Sequence, residues 1–395
     1  MAVQESMGEA PAKASLIYDP KVRGIFYQVI LVAAVIWLGW EIVTNAARNL
    51  EQQNIASGFG FLENTAGFGI IQSLIDYAET SSYGTALIVG FLNTILVAFI
   101  GIVFATAIGF IVGIARLSNN WVISRLAYVY IEVIRNIPLL LQIFFWYFAV
   151  LRAVPNPRNS IDIFGLFFLN NRGVFMPRAL FESGSILILI GLIVGIVAAF
   201  LIARWAHKRQ MATGQQFPTF RVSVALILGL PFLGYLLAGL PVSFEYPELR
   251  GFNFQGGMKV TPEFIALLMA LSIYTASFIA EIVRAGILAV SHGQTEAAHA
   301  LGLRNGPTLR LVVVPQAMRV IIPPLTSQYL NLTKNSSLAV AIAYPDLVSV
   351  GGTVLNQTGQ AIEIIGIWMV VYLSLSLLTS GFMNWYNNRM ALVER

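Results

Sequence analysis

The sequence predicts an all-α polytopic membrane protein of about eight transmembrane helices with both termini on the inner side. Three observations carry that expectation. Hydrophobic residues make up 57% of the 395-residue chain and charged residues 11%, with a mean hydropathy of +0.74, far outside the usage of soluble domains. The apolar residues gather into long runs separated by polar stretches. Basic residues sit mainly between those runs, dividing about fifteen to seven in favour of one side. A net charge of +5 therefore reports orientation against a lipid surface, and nucleic acid is not an expected partner. With no cysteine there is neither a disulfide nor a thiolate site, and His292 and His299, seven apart, find no third ligand in the sequence, so no metal site is expected.

The elements follow in order. Residues 1–20 are polar with two prolines and are expected to be a solvated inner tail. In 21–84, Lys21 and Arg23 precede an uncharged run from Gly24 to Trp40, a retained first span entering from the inside. Asn45 to Ser82 carries Glu51, Glu63, Asp76 and Glu79 against Arg48 alone and belongs outside, with amphipathic pieces lying on the membrane. Residues 85–151 form a first core unit. Thr85 to Ala115 is free of charge, Arg116 and Arg125 mark an inner turn, and Gly109 with Gly113 lets another helix come close. The next span, Val122 to Leu151, is kinked at Pro138 and carries Glu132 and Arg135 on one face.

Residues 152–261 read as an insertion. Arg152 to Phe181 and Pro241 to Thr261 are outer loops; between them lie apolar runs Ser185–Ala203 and Val222–Leu240, joined by the basic inner loop Arg204–Arg221. Two roles stand open for that hairpin, packing against lipid or bracing a neighbour. Residues 262–386 form a second core unit, with Tyr274, Ser277, Glu281 and Arg284 on its first span. Its next span, Leu311 to Ala343, is punctuated by Pro315, Pro323 and Pro324, as expected where backbone lines a cavity. Ile364 to Tyr386 is the last span, and 387–395 the inner C-terminus.

Between the two spans of the second unit lies Ser291 to Pro315. It is expected to form a short helix over 291–306, with Ser291 as N-cap, Gln294 three residues on, Glu296 in the first turn and Gly302 as a left-handed stop. Glu296-Ala297-Ala298, then three residues, Gly302, then nine residues and Val312 resembles the EAA loop of ABC-importer permeases. Glu132-Val133-Ile134-Arg135-Asn136-Ile137-Pro138 followed by Gln142-Ile143-Phe144-Phe145-Trp146, Tyr274-Thr275-Ala276-Ser277 with Glu281 to Gly286, and Lys334-Asn335-Ser336-Ser337 look like motifs of the polar amino-acid branch of that family, the histidine, glutamate, glutamine, arginine and opine type.

The resemblance implies a type I ABC-importer transmembrane fold in a bacterial inner membrane, with the EAA-like loop as the coupling helix (Gln294, Glu296, Ala297, Ala298, Gly302). It implies a second permease chain, here a heterodimer partner, two ATP-binding subunits that hold ATP and Mg, and an outer solute-binding protein. The chain itself carries no phosphate-binding loop, so it is a translocation subunit rather than an enzyme. The solute is expected to pass Arg135, Asn136, Tyr274, Ser277, Lys334, Asn335 and Ser336, with Glu132, Glu281 and Arg284 as gate or brace. An intramembrane charge needs a partner or a wet cavity, so Arg135 either binds solute or pairs with Glu132 or Glu281, and Lys334 has the same two options. The surplus of positive groups inclines the reading to acidic and amide amino acids: glutamate, aspartate, glutamine and asparagine. An ion-coupled secondary transporter also explains broken helices and buried charge but leaves the EAA-like loop without a role.

Overall fold

The computed structural model describes residues 20–52 and 58–390. The expected polar tail, apart from its last residue, and the end of the C-terminus therefore lie outside the described residues. In chain order the helices are α1 (Pro20–Gln52), α2 (Tyr83–Arg116), α3 (Trp121–Asn136), α4 (Leu139–Phe144), which continues through a π-helical turn (Phe145–Val150) into α5 (Leu151–Ala153), then α6 (Ile186–Thr213) and α7 (Thr219–Leu237). There follow α8 (Pro262–Leu288), α9 (His292–Ala300), α10 (Asn305–Thr308), a second π-helical turn (Leu309–Val313), α11 (Val314–Asn335), α12 (Leu347–Thr358) and α13 (Ala361–Met390). Seven helices among the described residues are long and apolar enough to cross a membrane, and α3 with α4 and its π-turn makes an eighth when that bent pair is one span.

The centre is the pairing of α2 with α8. The ideal Cβ of an alanine at Gly109 would lie 2.6 Å from Ile279 Cβ, and at Gly113 2.7 Å from the Ala280 carbonyl oxygen. Only a hydrogen fits at either place, so the two helices approach through their smallest residues. Lipid tails are as apolar as leucine, and close packing rather than water exclusion must hold such helices together. Around this seam Ile143 of α4, Leu267 and Leu271 of α8, Ile321 and Ile322 of α11 and Leu332 are almost wholly buried.

A second core caps one end. Of the stretch expected to carry pieces lying on the membrane, residues 45–52 continue α1, and the described part 58–82 is anchored by Phe61 and Ala66, buried with Leu87, Leu347, Val354 and Ile364. Polar groups tie this segment down. Asn93 Nδ2 donates to the backbone oxygens of Gln72 and Pro345 at 2.9 Å each, Thr261 Oγ1 donates to Gln72 Oε1 at 3.1 Å, and the Gly58 N–H donates to Glu363 Oε1 at 2.6 Å. These bonds let a segment whose regular structure is limited to a 3-10 turn over Phe59–Glu63 sit against apolar helices, because polar groups along it find partners inside.

The two loops expected to be outer and irregular, 152–181 and 241–261, carry regular structure. They form eight short strands: β1 (Ile161–Ile163), β2 (Phe167–Asn170), β3 (Gly173–Met176), β4 (Arg178–Phe181), β5 (Val242–Glu245), β6 (Glu248–Arg250), β7 (Asn253–Gln255) and β8 (Met258–Val260). The order β1-β2-β3-β8 and the pair β4-β5 are antiparallel and join the two loops across the base of the α6–α7 hairpin. Two short apolar runs, Phe167–Leu169 and Val174–Met176, flank the turn residues Asn170 to Gly173 and were a weak sequence signal for this, and Phe254 stacks between Phe168 and Phe175 at 4.7 and 5.1 Å between centroids. The basic loop expected over Arg204–Arg221 is also mostly helix, since α6 runs on to Thr213 and Gly214, with φ +71°, ends it.

Replacing Gly109 by Leu should separate α2 from α8, an overpacking penalty of about 1–3 kcal/mol or more. The expected readout is a lower thermal unfolding midpoint in detergent and less folded protein in the membrane, whereas the same change at Gly229, where nothing lies within 4 Å of the added Cβ, should leave both unchanged.

Candidate functional site

The expected kink at Pro138 is a break of 106° between α3 and α4. Proline removes one N–H and pushes the residue before it out of the helical region. Ile137 accordingly sits at φ −95°, ψ 126°, and Pro138 itself is extended at ψ 136°. Two consecutive extended residues turn the chain instead of bending it. The carbonyls left without helical partners are taken up by Gln142, whose Nε2 donates to the oxygens of Ile134 and Ile137 at 2.9 Å each. Gln142 is 5% exposed, and this staple was not assigned from the sequence, although a glutamine four residues after an apolar Ile-Pro step was its signal.

The break brings Glu132, Arg135 and Asn136 to an exposed edge. Neither ion pair considered for Arg135 forms. Its guanidinium instead lies 5.1 Å from the centre of the Phe278 ring, which in turn packs edge-on to Tyr274 at 5.0 Å. Phe278 was overlooked because an aromatic on an apolar helix looks like core. Glu281 pairs with Arg284 on its own helix, through Nε to Oε2 at 3.0 Å and Nη2 to Oε1 at 2.5 Å. That pair satisfies itself and leaves Arg135 to the ring face.

On α11 the exposed stripe runs through Val320, Pro323, Pro324, Ser327, Asn331 and Lys334. Its second half is polar, ending on a lysine that makes no ion pair among the described residues. A lipid-facing stripe would be apolar, because a charge in the hydrocarbon costs about 2.5–3.5 kcal/mol on insertion scales. Asn335 is half-buried beside it. Ser277 and Ser336 depart from the expectation: both are fully buried, with hydroxyls donating to the backbone oxygens of Tyr274 (2.6 Å) and Thr333 (2.7 Å). A serine inside a helix readily bonds the preceding turn, and these two are turned away from the exposed face.

The loop between α8 and α11 contains α9, which stops at Ala300 rather than 306. Gly302 adopts φ +79°, its N–H donates to the His299 oxygen at 2.9 Å, and the Leu303 N–H donates to the Ala298 oxygen at 3.1 Å, the bonding of a Schellman stop. Ser291 stands at the N-cap position with an extended backbone, but its hydroxyl caps nothing. Gln294 does not complete a capping box; its Oε1 accepts from Gln316 Nε2 of α11 at 3.3 Å. Glu296 lies beyond the first turn and meets His292 Nδ1 at 3.0 Å. Ala298 is buried, while Glu296, Ala297 and Leu301 face out, the leucine 83% exposed. The helix is thus fixed by one alanine and one glutamine and offers an apolar knob on its free side. No group of three His, Asp or Glu side chains placed to hold a metal occurs among the described residues.

Residues 187–392 match the family described as "binding-protein-dependent transport system inner membrane component". The chain is 58% identical over 381 residues to the general L-amino acid transport system permease protein AapQ of Rhizobium johnstonii, covering 96% of this chain and 95% of that protein. It is 53% identical to the putative amino-acid ABC transporter permease protein YhdX of Escherichia coli, over 97% and 98% of the two chains. To the glutamate/glutamine/aspartate/asparagine transport system permease protein BztB of Rhodobacter capsulatus it is 42% identical, over 96% of each.

Gln142→Leu should leave the Ile134 and Ile137 carbonyls without partners in an apolar setting, about 1–3 kcal/mol for an abandoned buried group. A thermal unfolding midpoint in detergent several degrees below that of the parent chain is expected.

Proposed function

Because this chain belongs to the inner-membrane permease family of binding-protein-dependent ABC importers for amino acids, we propose that it forms one half of a pathway for acidic and amide amino acids. It is a multi-pass inner-membrane translocation component and not an enzyme. The observation that carries the substrate reading is the polar half of the α11 stripe. Ser327, Asn331 and Lys334 continue the exposed stripe of a helix whose opposite face, Ile321, Ile322, Leu325 and Leu332, is packed into apolar neighbours, an arrangement that suits a face turned to a second permease subunit and to solute rather than to lipid. Lys334 supplies a positive group for a carboxylate, and Asn331 and Asn335 supply amide groups. Arg135, resting on Phe278 beside Tyr274, is a second positive group on an exposed edge and suits a carboxylate further along the path. The names of AapQ and BztB, general L-amino acids and glutamate, glutamine, aspartate and asparagine, support a site of this chemistry.

Energy would reach the path through α9. The helix is stopped by Gly302, tied to α11 by Gln294 and Gln316, and exposes Glu296, Ala297 and Leu301. Docked in a cleft of an ATP-binding subunit, it would carry the movement of that subunit into α11, the helix that ends at Lys334. The nucleotide and Mg would then be held by two ATP-binding partners, the solute would be delivered by an outer binding protein, and both termini would lie in the cytoplasm with α9. A carrier driven by an ion gradient is not favoured, and uptake that persists when gradients are collapsed but ATP is present is the expected result.

Lys334→Gln and Arg135→Gln should each lower glutamate uptake by the reconstituted importer about tenfold or more, the loss of one charge-assisted hydrogen bond, with ATP hydrolysis retained. Unaltered uptake and unaltered preference among glutamate, glutamine and a cationic amino acid in both variants would remove this site.

Gly302→Val places a β-branched residue at φ +79°, although nothing lies within 4 Å of the new Cβ. The penalty is therefore in the backbone, about 1–2 kcal/mol or more, and the exit angle of α9 should change. The expected outcome is normal insertion with ATP hydrolysis that no longer responds to the loaded binding protein; full stimulation in the variant would exclude α9 as the coupling element.

A further inference from the structure

We propose that residues 67–81 form a hinged lid over the end of the core opposite α9, held shut by the single residue Gln72, and that this lid must lift for solute to pass. The passage of solute rests on the reading of the chain as half of an importer pathway; the hinge does not. The ends of the segment are pinned. Thr65 pairs with Ser82 as an isolated bridge, and three N–H groups close the neck: Ala66 donates to the Ser81 oxygen at 2.8 Å, Gly67 to the Glu79 oxygen at 3.0 Å and Tyr83 to the Asn64 oxygen at 2.9 Å. Below the neck the chain is anchored in the second core by Phe61, Ala66, Tyr83 and Leu87. Beyond it the segment folds on itself, with Tyr77 Oη donating to the Phe68 oxygen at 2.8 Å and the two rings 6.5 Å apart. These are the closed ends and self-packed body of an Ω-loop.

Three observations set this body apart from a fixed cap. No residue from Gly67 to Ser81 is buried: Phe68, Ile70 and Tyr77 lean on the core half-buried, and Ile71 at the tip is 80% exposed. Among the described residues, every hydrogen bond that leaves the body other than through the neck runs through Gln72. Its Nε2 donates to Tyr344 Oη at 3.3 Å, its Oε1 accepts from Thr261 Oγ1 at 3.1 Å, and its backbone oxygen accepts from Asn93 Nδ2 at 2.9 Å. One residue thus holds the loop to α2, to the start of α8 and to the turn before α12. Third, the underside does not pack. A cavity of about 220 Å³ separates Phe68, Ile70 and Ile71 of the loop from Pro345, Ser349 and Thr353, where a fixed cap would be filled as protein interiors are. A segment with so few buried contacts lies at the low end of local opening free energies. What lifting uncovers at the latch is polar, Asn93, Thr261 and the Tyr344 hydroxyl, so water replaces the bonds that are lost. Gly67, at φ +69°, stands at the neck with Gly69 two residues on, which gives the hinge its backbone freedom.

The chain has no cysteine, so thiols introduced into it report on their own positions. In the complete importer in detergent, Thr353→Cys places a thiol in the cavity beneath the lid, where it should react slowly with a charged methanethiosulfonate reagent. Adding Gln72→Ala, which removes two side-chain hydrogen bonds, should speed that reaction roughly tenfold. An unchanged rate overturns the latch. The second measurement keeps Gln72 and needs no destabilised variant. Ile71→Cys with Thr353→Cys, bridged across the cavity by a short bifunctional thiosulfonate reagent, should lose glutamate uptake in reconstituted vesicles in proportion to the bridged fraction and regain it on reduction. Uptake that persists in fully bridged protein overturns the lid. Failure of the importer reading has a different signature, no uptake by the parent chain or by the unbridged pair, and the labelling rates still decide whether the loop opens.

Discussion

The contact on which the rest of the structure depends is the close approach of α2 and α8. In water two helices are driven together by the apolar area they hide, but between lipid tails that gain vanishes and only packing remains. Gly109 and Gly113 allow a separation at which Ile279 and the Ala280 carbonyl fill the space a side chain would take. Everything with a polar task is hung from that seam. α8 carries Tyr274, Phe278 and the Glu281–Arg284 pair on its free side, α3 and α4 lean on α8, and α11 packs against it through Ile321, whose side chain fills the place of a Cβ on Gly286. If the seam opens, the ring under Arg135 and the stripe that ends at Lys334 lose their common support.

A second constraint follows from the first. Helices this tightly set cannot lose backbone bonds without replacement, because an unpaired carbonyl in an apolar interior costs several kcal/mol. The break at Pro138 and the one after Ala300 are handled differently. At Pro138 a side chain, Gln142, stands in for the missing bonds, and the break is fixed. After Ala300 the chain keeps its bonds by a left-handed turn at Gly302 and then re-enters a helix through a π-turn over Leu309–Val313. A π-turn holds one more residue per loop than α-helix does and shifts the face of everything beyond it, so it sits between α9 and α11 as a joint rather than a lock.

Much of this was legible in the sequence. The long apolar runs, Gly109 with Gly113, and the left-handed stop at Gly302 were read from period and residue type alone, since each follows from local physics: hydrocarbon thickness, the missing Cβ, the permissive φ of glycine. What was not legible depended on partners far along the chain. The pairs β3–β8 and β4–β5 join two loops on either side of the hairpin across its base, and neither loop carries a signal strong enough by itself. Ser277 and Ser336 were placed on the polar face because serine is polar, but a helix offers a serine a carbonyl on the preceding turn, and burial on the packed side decided both. For Arg135 the sequence left open solute or a pair with Glu132 or Glu281; Glu281 is taken by Arg284 on its own helix, and the Arg135 guanidinium lies over Phe278.

The charges of the chain therefore fall into three groups by what surrounds them. Glu281 and Arg284 neutralise each other at the edge of the packed core and are fixed. Arg204, Lys208, Arg209 and Arg221 are exposed at the end of a hairpin that carries no acid from Ser183 to Phe244, Arg204 over the Phe200 ring and Arg209 over the Trp205 ring. Arg135 and Lys334 belong to neither group. They lie on exposed edges of core helices, within runs long enough to be crossed by the membrane, and no carboxylate of this chain among the described residues approaches either within ion-pair distance. One of them rests on an aromatic ring and the other ends a polar stripe. An unbalanced charge is costly against hydrocarbon, so the edges that carry Arg135 and Lys334 suit polar or wet surroundings, and α11, which ends at Lys334, is tied at its other end to α9 through Gln316 and Gln294.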